Sequence, residues 1–389
     1  MNRAVLTLNS GSSSLKFGLY EAEPGAADRL MSGEIETVGD GQPRLRAWDG
    51  RGHALADEAV SAETRRLPVE RIARLLREAR LPPPVIIGHR IVHGGPSLRH
   101  HCLIDDAVLH DLEEATPFAP LHIPPALAVV RDARAHFPAL PQVACFDTSF
   151  HAAMPDIART LPLPLDLRRQ GLQRYGFHGL SCESTVHQLG SSLPERLIIA
   201  HLGNGASVTA VRAGRSIDTS MGLTPTGGIP MGTRRGDLDP GILIYLLRER
   251  GFTADALEEL VDRRSGLLGL SGCDSDMRSL KEAARRGSDA RLAIDIFCYC
   301  LGKTIAAMAQ ALAGVDMIVF TGGIGENDAS LRAAVSQSLA WTGAALDASR
   351  NERGEGRIST TASRVALHIV PSREERQIAL HSAALARRP

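Results

Sequence analysis

The sequence carries no excess of charge of either sign: its 389 residues hold 44 Lys and Arg against 44 Asp and Glu. No global field draws such a chain to nucleic acid or to anionic lipid, so any phosphate must be met by local groups. No continuous run of about 18 apolar residues occurs, and the first residues hold neither a basic stretch nor an apolar signal core. The expected compartment is the cytoplasm, with no nucleic-acid or membrane partner. The six cysteines, Cys102, Cys145, Cys182, Cys273, Cys298 and Cys300, form no C-x-x-C pair and share no zinc-like spacing with the 14 histidines. That pattern points to reduced, mostly buried thiols. The histidines themselves lack an H-E-x-x-H or H-x-x-x-H frame on a periodic helix, which argues against a histidine metal site. A G-x-x-x-x-G-K-[ST] phosphate loop is missing too. The Gly-Lys-Thr at 302–304 has Phe297 where the first glycine should be and sits in an apolar helical pattern.

What is present is one device written twice. Val5-Leu-Thr-Leu-Asn-Ser-Gly-Ser-Ser-Ser-Leu-Lys-Phe17 and Leu197-Ile-Ile-Ala-His-Leu-Gly-Asn-Gly-Ala-Ser-Val-Thr-Ala210 are each a hydrophobic strand running into a Gly/Ser turn and out again. Aligned without a gap, Ser10 falls on Gly203, Ser14 on Ser207 and Leu15 on Val208. Small residues let a backbone approach an anion and offer it N–H groups and hydroxyls; the same residues also serve ordinary β-hairpins. Two such segments half a chain apart suggest two similar halves with a nucleotide between them. At roughly 100 to 200 residues per domain the length fits two to three units.

Strands are expected near 4–8, 15–20, 30–37 and 43–48, a helix near 68–79, and a central strand at 85–92 whose apolar character is nearly continuous. A helix near 105–115, a Pro-rich loop at 117–125, a helix near 126–136 and a strand at 142–146 follow. The second half reads as strands at 197–201 and 207–212, helices near 240–250, 254–262, 278–286 and 290–313, a strand at 317–320, a helix at 328–339, a strand at 366–370 and a helix from Glu374. Alternating strands and helices predict an α/β fold with functional loops at strand ends. The expected domains are residues 1–150 and 151–373, with 374–389 packing back on the first.

Some residues stand out chemically. Arg90 lies in the apolar strand, where a guanidinium is costly unless paired; it is either in a structural ion pair or waiting for an anion. Arg234 sits on a Gly-flanked loop. His178 precedes Gly179 in a turn that leaves its ring free to project, and alone would serve as a structural hydrogen-bonder. Asp147, just past a strand, reads as a cap or turn residue.

The blocks Asn9-Ser-Gly-Ser-Ser-Ser-Leu-Lys16, Gly88-His-Arg-Ile-Val-His-Gly-Gly95, Phe146-Asp-Thr-Ser-Phe-His151, Arg174-Tyr-Gly-Phe-His-Gly179, His201-Leu-Gly-Asn-Gly205, Met231-Gly-Thr-Arg234 with Gly236-Asp-Leu-Asp-Pro240, and Phe320-Thr-Gly-Gly-Ile-Gly-Glu-Asn327 resemble the acetate kinase family in order and spacing over essentially the whole chain. The resemblance implies duplicated ribonuclease-H-like domains, as in actin-like ATPases, with a nucleotide cleft between them. It also implies a homodimer and the reaction ATP + acetate ⇌ ADP + acetyl phosphate. By resemblance Arg90, Arg234, His178 and Asp147 are catalytic, with His122 a weaker candidate. The resemblance likewise implies an acyl pocket that Val92, Leu121, Phe177 and Pro225 would line. ATP would be held by His201, Leu202, Gly203, Asn204 and Gly205, by Asp276, Met277 and Arg278, and by Gly322, Gly323, Ile324, Gly325, Glu326 and Asn327, with Lys16 reaching a phosphate. Asn9 and Glu374 match the positions that hold Mg²⁺, or Mn²⁺ in its place.

Ile123, Ala126, Leu180, Cys182 and Arg235 depart from the usual family pattern and put acyl specificity in question. Three readings result: acetate kinase, a propionate or butyrate kinase on the same fold, and an actin-like or chaperone-like ATP-binding module.

Overall fold

Arg3–Ser10 and Ile86–Ile91 are buried at nearly every position, so each is covered on both faces, and both lie in the middle of a sheet. The computed structural model describes residues 3–11, 14–23, 25–36, 42–61, 63–64, 67–354 and 356–386. The chain forms two units, one made of Met1–Ala152 with Arg373–Pro389 and the other of Ala153–Ser372.

The first unit is built on strands β1 (Arg3–Ser10), β2 (Ser14–Glu23), β3 (Ala26–Glu36), β4 (Arg44–Asp49), β5 (Ala54–Ala59), β6 (Ile86–Ile91), β7 (Cys102–Leu103) and β8 (Gln142–Phe146). They form one sheet in the order β5-β4-β3-β2-β1-β6-β8-β7, with β1, β6 and β8 parallel. On one face Leu6, Leu8, Phe17, Met31 and Ile87 pack with Val69, Ile72 and Leu76 of helix Val69–Glu78 and with Val129 and Ala133 of helix Ile123–His136. On the other lies helix Glu374–Leu385, against β1, β2 and β6. That approach explains Gly88: a Cβ there would stand 2.3 Å from Ser382 Oγ and 2.6 Å from Ile378 Cγ2.

The second unit carries β9 (Arg196–Leu202), β10 (Ala206–Arg212), β11 (Arg215–Thr219), β12 (Met317–Thr321), β13 (Gly356–Arg357) and β14 (Ala366–Ile369), in the order β11-β10-β9-β12-β14-β13. The run β3-β2-β1-β6-β8 is thus repeated as β11-β10-β9-β12-β14, antiparallel over the first two pairings and parallel over the last two in both. The fold is a duplicated mixed α/β architecture, as expected. Both glycine-rich segments are hairpins, but of unequal length: Ser10 pairs with Leu15, whereas Leu202 pairs with Ala206. An ungapped alignment therefore keeps register on one arm only. Residues 12 and 13 of the first turn lie outside the described residues.

Helix Ser288–Ala311 is long and apolar enough to cross a membrane by length and composition alone, which a search for unbroken apolar runs passes over. Its stripe Ala293, Phe297, Leu301, Ile305 and Met308 is buried at helical spacing, and the helix lies against β9, β10 and β11. The Gly302-Lys-Thr304 run lies in this helix, with Thr304 Oγ1 donating to the Cys300 carbonyl.

Three expectations need correction. The Pro-rich segment is not loop to residue 125: helix Ile123–His136 begins inside it, because proline is tolerated in a first turn where no intrahelical N–H is required. Residues 322–327 form a short helix, Gly322–Asn327, rather than an open connection. The thiols are not mostly buried either. Cys145 and Cys182 are, but Cys102, Cys298 and Cys300 are half-buried and Cys273 is exposed.

His89 is buried on β6 and shares a 2.8 Å hydrogen bond, through Nε2, with Gln142 Oε1 of β8. Burial, only partly offset by that bond, pushes its pKa down to about 4. Between that value and about 6.5 the unfolded chain binds a proton that the folded unit refuses, so stability falls as pH drops through this window. Calorimetric melting of the wild type from pH 7 to 4.5 should therefore show a declining Tm, and His89→Gln should flatten the decline. An identical slope in the variant would remove His89 as its source.

Candidate active site

In the first unit, Asn9 at the end of β1, Arg90 at the end of β6 and Asp147 just past β8 all stand at the carboxyl edge of the three parallel strands, where α/β sheets place ligands. The backbone N–H of Asp147 donates to the Ile91 carbonyl, continuing the β6–β8 pairing. Its side chain is fully buried, and its Oδ2 accepts from Arg90 Nε at 3.0 Å and Nη2 at 2.5 Å. Arg90 Nη1 donates to Asn9 Oδ1 at 3.2 Å. Asn9 Nδ2 in turn donates to Glu374 Oε2 at 3.0 Å and Glu375 Oε1 at 2.9 Å, on the first turn of helix Glu374–Leu385. Burial alone would lower the Arg90 pKa; the carboxylates of Asp147, Glu374 and Glu375 outweigh it, so the guanidinium is held charged. Arg90 is thus in an ion pair, and the same pairing orients it. The donors around Asn9 are oxygens, two of them carboxylates drawn together by one amide, which fits a hard divalent cation and not a thiophilic one. Lys16 lies directly across the β1–β2 ladder from Asn9, exposed, and so shares its face of the sheet.

In the second unit, the β9–β10 hairpin turn, Gly203–Gly205, is the centre. His178 stands at the N-terminus of helix Gly179–Leu189, without capping it through its side chain, in the left-handed region at φ +56°, a conformation uncommon for a residue with a side chain. Its ring stacks on His201, with centroids 4.2 Å apart. Each ring is held by a hydroxyl: His178 Nδ1 lies 2.9 Å from Ser207 Oγ, and His201 Nδ1 2.8 Å from Ser181 Oγ. A Cβ on Gly205 would meet His178 Nε2 at 3.1 Å and Arg234 Nη1 at 3.5 Å, so glycine here lets the imidazole and guanidinium converge on the turn. Arg234 Nη1 is braced by the Pro225 carbonyl at 3.2 Å.

Beside the turn lies a cavity of about 510 Å³ within this unit. It brings together Gly203 and Asn204, Asp276, Met277 and Arg278, and Gly323, Ile324 and Asn327, segments far apart in the sequence. Not every expected residue faces it. Glu326 turns inward, its Oε1 accepting from Gly322 N at 2.9 Å and Ser372 N at 2.8 Å. Gly322, at φ +78°, is needed because a Cβ would stand 2.8 Å from the Leu202 carbonyl. Asp276 caps helix Met277–Ala283 through Arg278 N and Ser279 N, and the Arg278 side chain is 93% exposed. Fully buried Arg332 donates to the Gly325 and Glu326 carbonyls, at 2.9 Å each, and to Asn351, fixing the end of Gly322–Asn327.

Val92 and Leu121 belong to the first unit, Phe177 and Pro225 to the second; Val92, Phe177 and Pro225 are buried and Leu121 half-buried. His122 stands at the N-terminus of helix Ile123–His136 without capping it. The departures Ile123, Ala126, Leu180 and Cys182 are all buried packing residues, and Arg235 donates to the Gly236 carbonyl. Sequence reasoning missed Glu375, adjacent to Glu374, and Phe297, Lys281 and Asp328 on the cavity wall. The Glu374-Glu375 doublet at a helix start was the one visible signal; Phe297, Lys281 and Asp328 looked like ordinary helix residues.

The acetokinase family model matches residues 4–380. The acetate kinase of Shewanella amazonensis is 44% identical over 398 residues, covering 99% of this chain and 99% of that protein. That of Nitrobacter hamburgensis is 41% identical over 397 residues, covering 98% and 96%. Among solved structures, a propionate kinase from Francisella tularensis superposes with TM-score 0.91 at 35% identity, covering 98% of this chain and 100% of that one. Porphyromonas gingivalis acetate kinase gives 0.86 at 36%, covering 99% and 100%. Matched from strand β1 to the C-terminal helix, the chain belongs to the acetokinase family.

Proposed function

We propose that this protein is a phosphotransferase that moves the γ-phosphoryl group of ATP to acetate, reversibly, giving acetyl phosphate and ADP. The observation that carries the reading is Arg90, held at the carboxyl edge of β1, β6 and β8 by Asp147 and Asn9. A carboxylate oxygen of acetate attacks the γ-phosphorus while the bond from that phosphorus to the β,γ-bridging oxygen breaks, and ADP departs with the bond's electron pair. With a carboxyl pKa of about 4 to 5, acetate is already ionised at neutral pH and has no proton to lose. Asp147 therefore acts by fixing Arg90, which receives the substrate carboxylate. Arg234 and His178 Nε2 meet the charge on the transferring group, which phosphoryl transfer spreads over its equatorial oxygens. The backbone of Gly203–Gly205 takes the nucleotide phosphates. Bound Mg²⁺, held by Glu374 and Asn9 largely through its waters, would neutralise charge on the β- and γ-phosphates.

Hydroxylamine trapping of acyl phosphate with formate, acetate, propionate and butyrate, with and without Mg²⁺, tests the reading. Signal with acetate that requires ATP and Mg²⁺ is expected; none with any acid would sink it. The Francisella tularensis propionate kinase structure makes propionate the second substrate to weigh. A hydrophobic pocket separates the two by only about 1 to 3 kcal/mol per methylene.

The active assembly is a homodimer. Helix Pro240–Glu249 supports this: none of its residues is buried, and Ile242, Ile244, Tyr245 and Leu247 are exposed, more contiguous apolar surface than one helix of a monomer normally shows. Sedimentation velocity should give a dimer for the wild type and a monomer for Ile242→Glu with Tyr245→Arg. A wild-type monomer at micromolar concentration would refute it.

A further inference from the structure

The wall of the second-unit cavity carries a donor and an acceptor that phosphate binding does not use. Lys281, on helix Met277–Ala283, and Asp328, the N-cap of helix Ala329–Ser338, both line it. Lys281 Nζ donates to Asp328 Oδ1 and, at 2.6 Å, to Ser330 Oγ. Asp328 Oδ1 also accepts from Ser330 Oγ at 3.0 Å and from Leu331 N at 2.9 Å. Every bond that Asp328 accepts here falls on Oδ1, and an ammonium has three donors of which two are used here. The pair therefore presents Asp328 Oδ2 as an acceptor and one Lys281 N–H as a donor. Asp328 is nine-tenths buried, so its position is fixed. Neighbouring polar groups are engaged: Asp276 caps its helix, and Asn327 Nδ2 donates to the Gly323 carbonyl at 2.9 Å.

The wall stands at a distance from the phosphate turn that suits a base. Gly322 packs on Leu202, at the foot of the turn, and Asp328 follows the six-residue helix Gly322–Asn327, an axial length of about 9 Å. Leu267, Met277, Phe297 and Ile324 supply apolar surface in the same cavity for a flat ring. Adenine shows an acceptor, N7, beside a donor, the N6 amino group; guanine shows two acceptors, N7 and O6. A wall of one donor and one carboxylate acceptor complements the first and sets Asp328 against O6 of the second.

We propose that Asp328, held by its helix cap, selects adenine over guanine nucleotides, an inference that rests on reading this cavity as the nucleotide site. The two residues have distinct duties. Lys281 serves N7, which both purines carry, and Asp328 alone discriminates. Asparagine in place of Asp328 would keep the helix cap, at which it ranks with aspartate, and could turn an amide donor toward O6.

Calorimetric Kd values for ADP and GDP, with kcat/KM for ATP and GTP, should be measured for wild type, Asp328→Asn and Lys281→Met, alongside Tm. The wild type should prefer ADP, Asp328→Asn should narrow the ADP:GDP ratio about tenfold by strengthening GDP at near-constant Tm, and Lys281→Met should weaken both alike. Equal affinity of the wild type for ADP and GDP, or an unchanged ratio in Asp328→Asn, overturns the proposal. Tight ADP binding without acyl phosphate formation would instead refute acetate as the acceptor and leave base selection standing on the Kd values.

Discussion

Arg234→Ala should lower kcat by about 10³ to 10⁵-fold, the range measured when an arginine that meets transition-state charge in phosphoryl transfer is removed. ATP binding in the ground state should barely change, because the turn Gly203–Gly205 and the cavity beside it remain intact. The geometry supports so large an effect. Arg234 Nη1 is aimed past a glycine that has no side chain to block it and is steadied by the Pro225 carbonyl, so little reorganisation is needed as charge develops. Steady-state kinetics with a calorimetric Kd for ADP separates the two quantities. Turnover within tenfold of the wild type would remove Arg234 from the reaction.

Asp147→Asn should cost at least about 10²-fold in kcat, with the loss independent of pH between 6 and 9. The reason is mechanical and electrostatic together. Asp147 takes two of the Arg90 donors on one oxygen in a fully buried position, and breaking a buried pair from one side costs about 3 to 5 kcal/mol. Glu374 and Glu375 would still face the guanidinium, so the variant should fold while Arg90 loses its fixed orientation. A rate limb that moved to alkaline pH in the variant would show instead that Asp147 removes a proton, which an ionised carboxylate substrate gives no reason to expect.

Most strands and long helices were legible because their burial pattern is clean: β12 is an unbroken buried run, β6 is buried at every position but Arg90, and helix Ser288–Ala311 repeats every three to four residues. Short elements were not. β5, Ala54–Ala59, has no buried residue to mark it, and half of helix Gly322–Asn327 is glycine, which propensity assigns to loops. The catalytic candidates were named by motif, yet their connections could not be. Nothing local predicts that Asn9 Nδ2 binds two glutamates more than 360 residues away. The inward turn of Glu326 and the Lys281–Asp328 pair depend likewise on how separate helices meet, which no periodicity encodes.

Synthesis from the N-terminus gives the divided first unit a particular history. β1 emerges first, but the helix that covers Gly88 and brings Glu374 and Glu375 to Asn9 emerges last, after the whole of Ala153–Ser372. The second unit can thus complete its core on the ribosome while one face of the first sheet is still bare. During that interval the apolar residues around Gly88 lack the cover that the last helix gives them, and closing so long a loop adds an entropic cost to docking that helix. A chain stalled near residue 372 would already hold the cavity proposed for the nucleotide and yet lack the carboxylates proposed to receive the metal, so ADP affinity should be acquired earlier in synthesis than magnesium-dependent turnover.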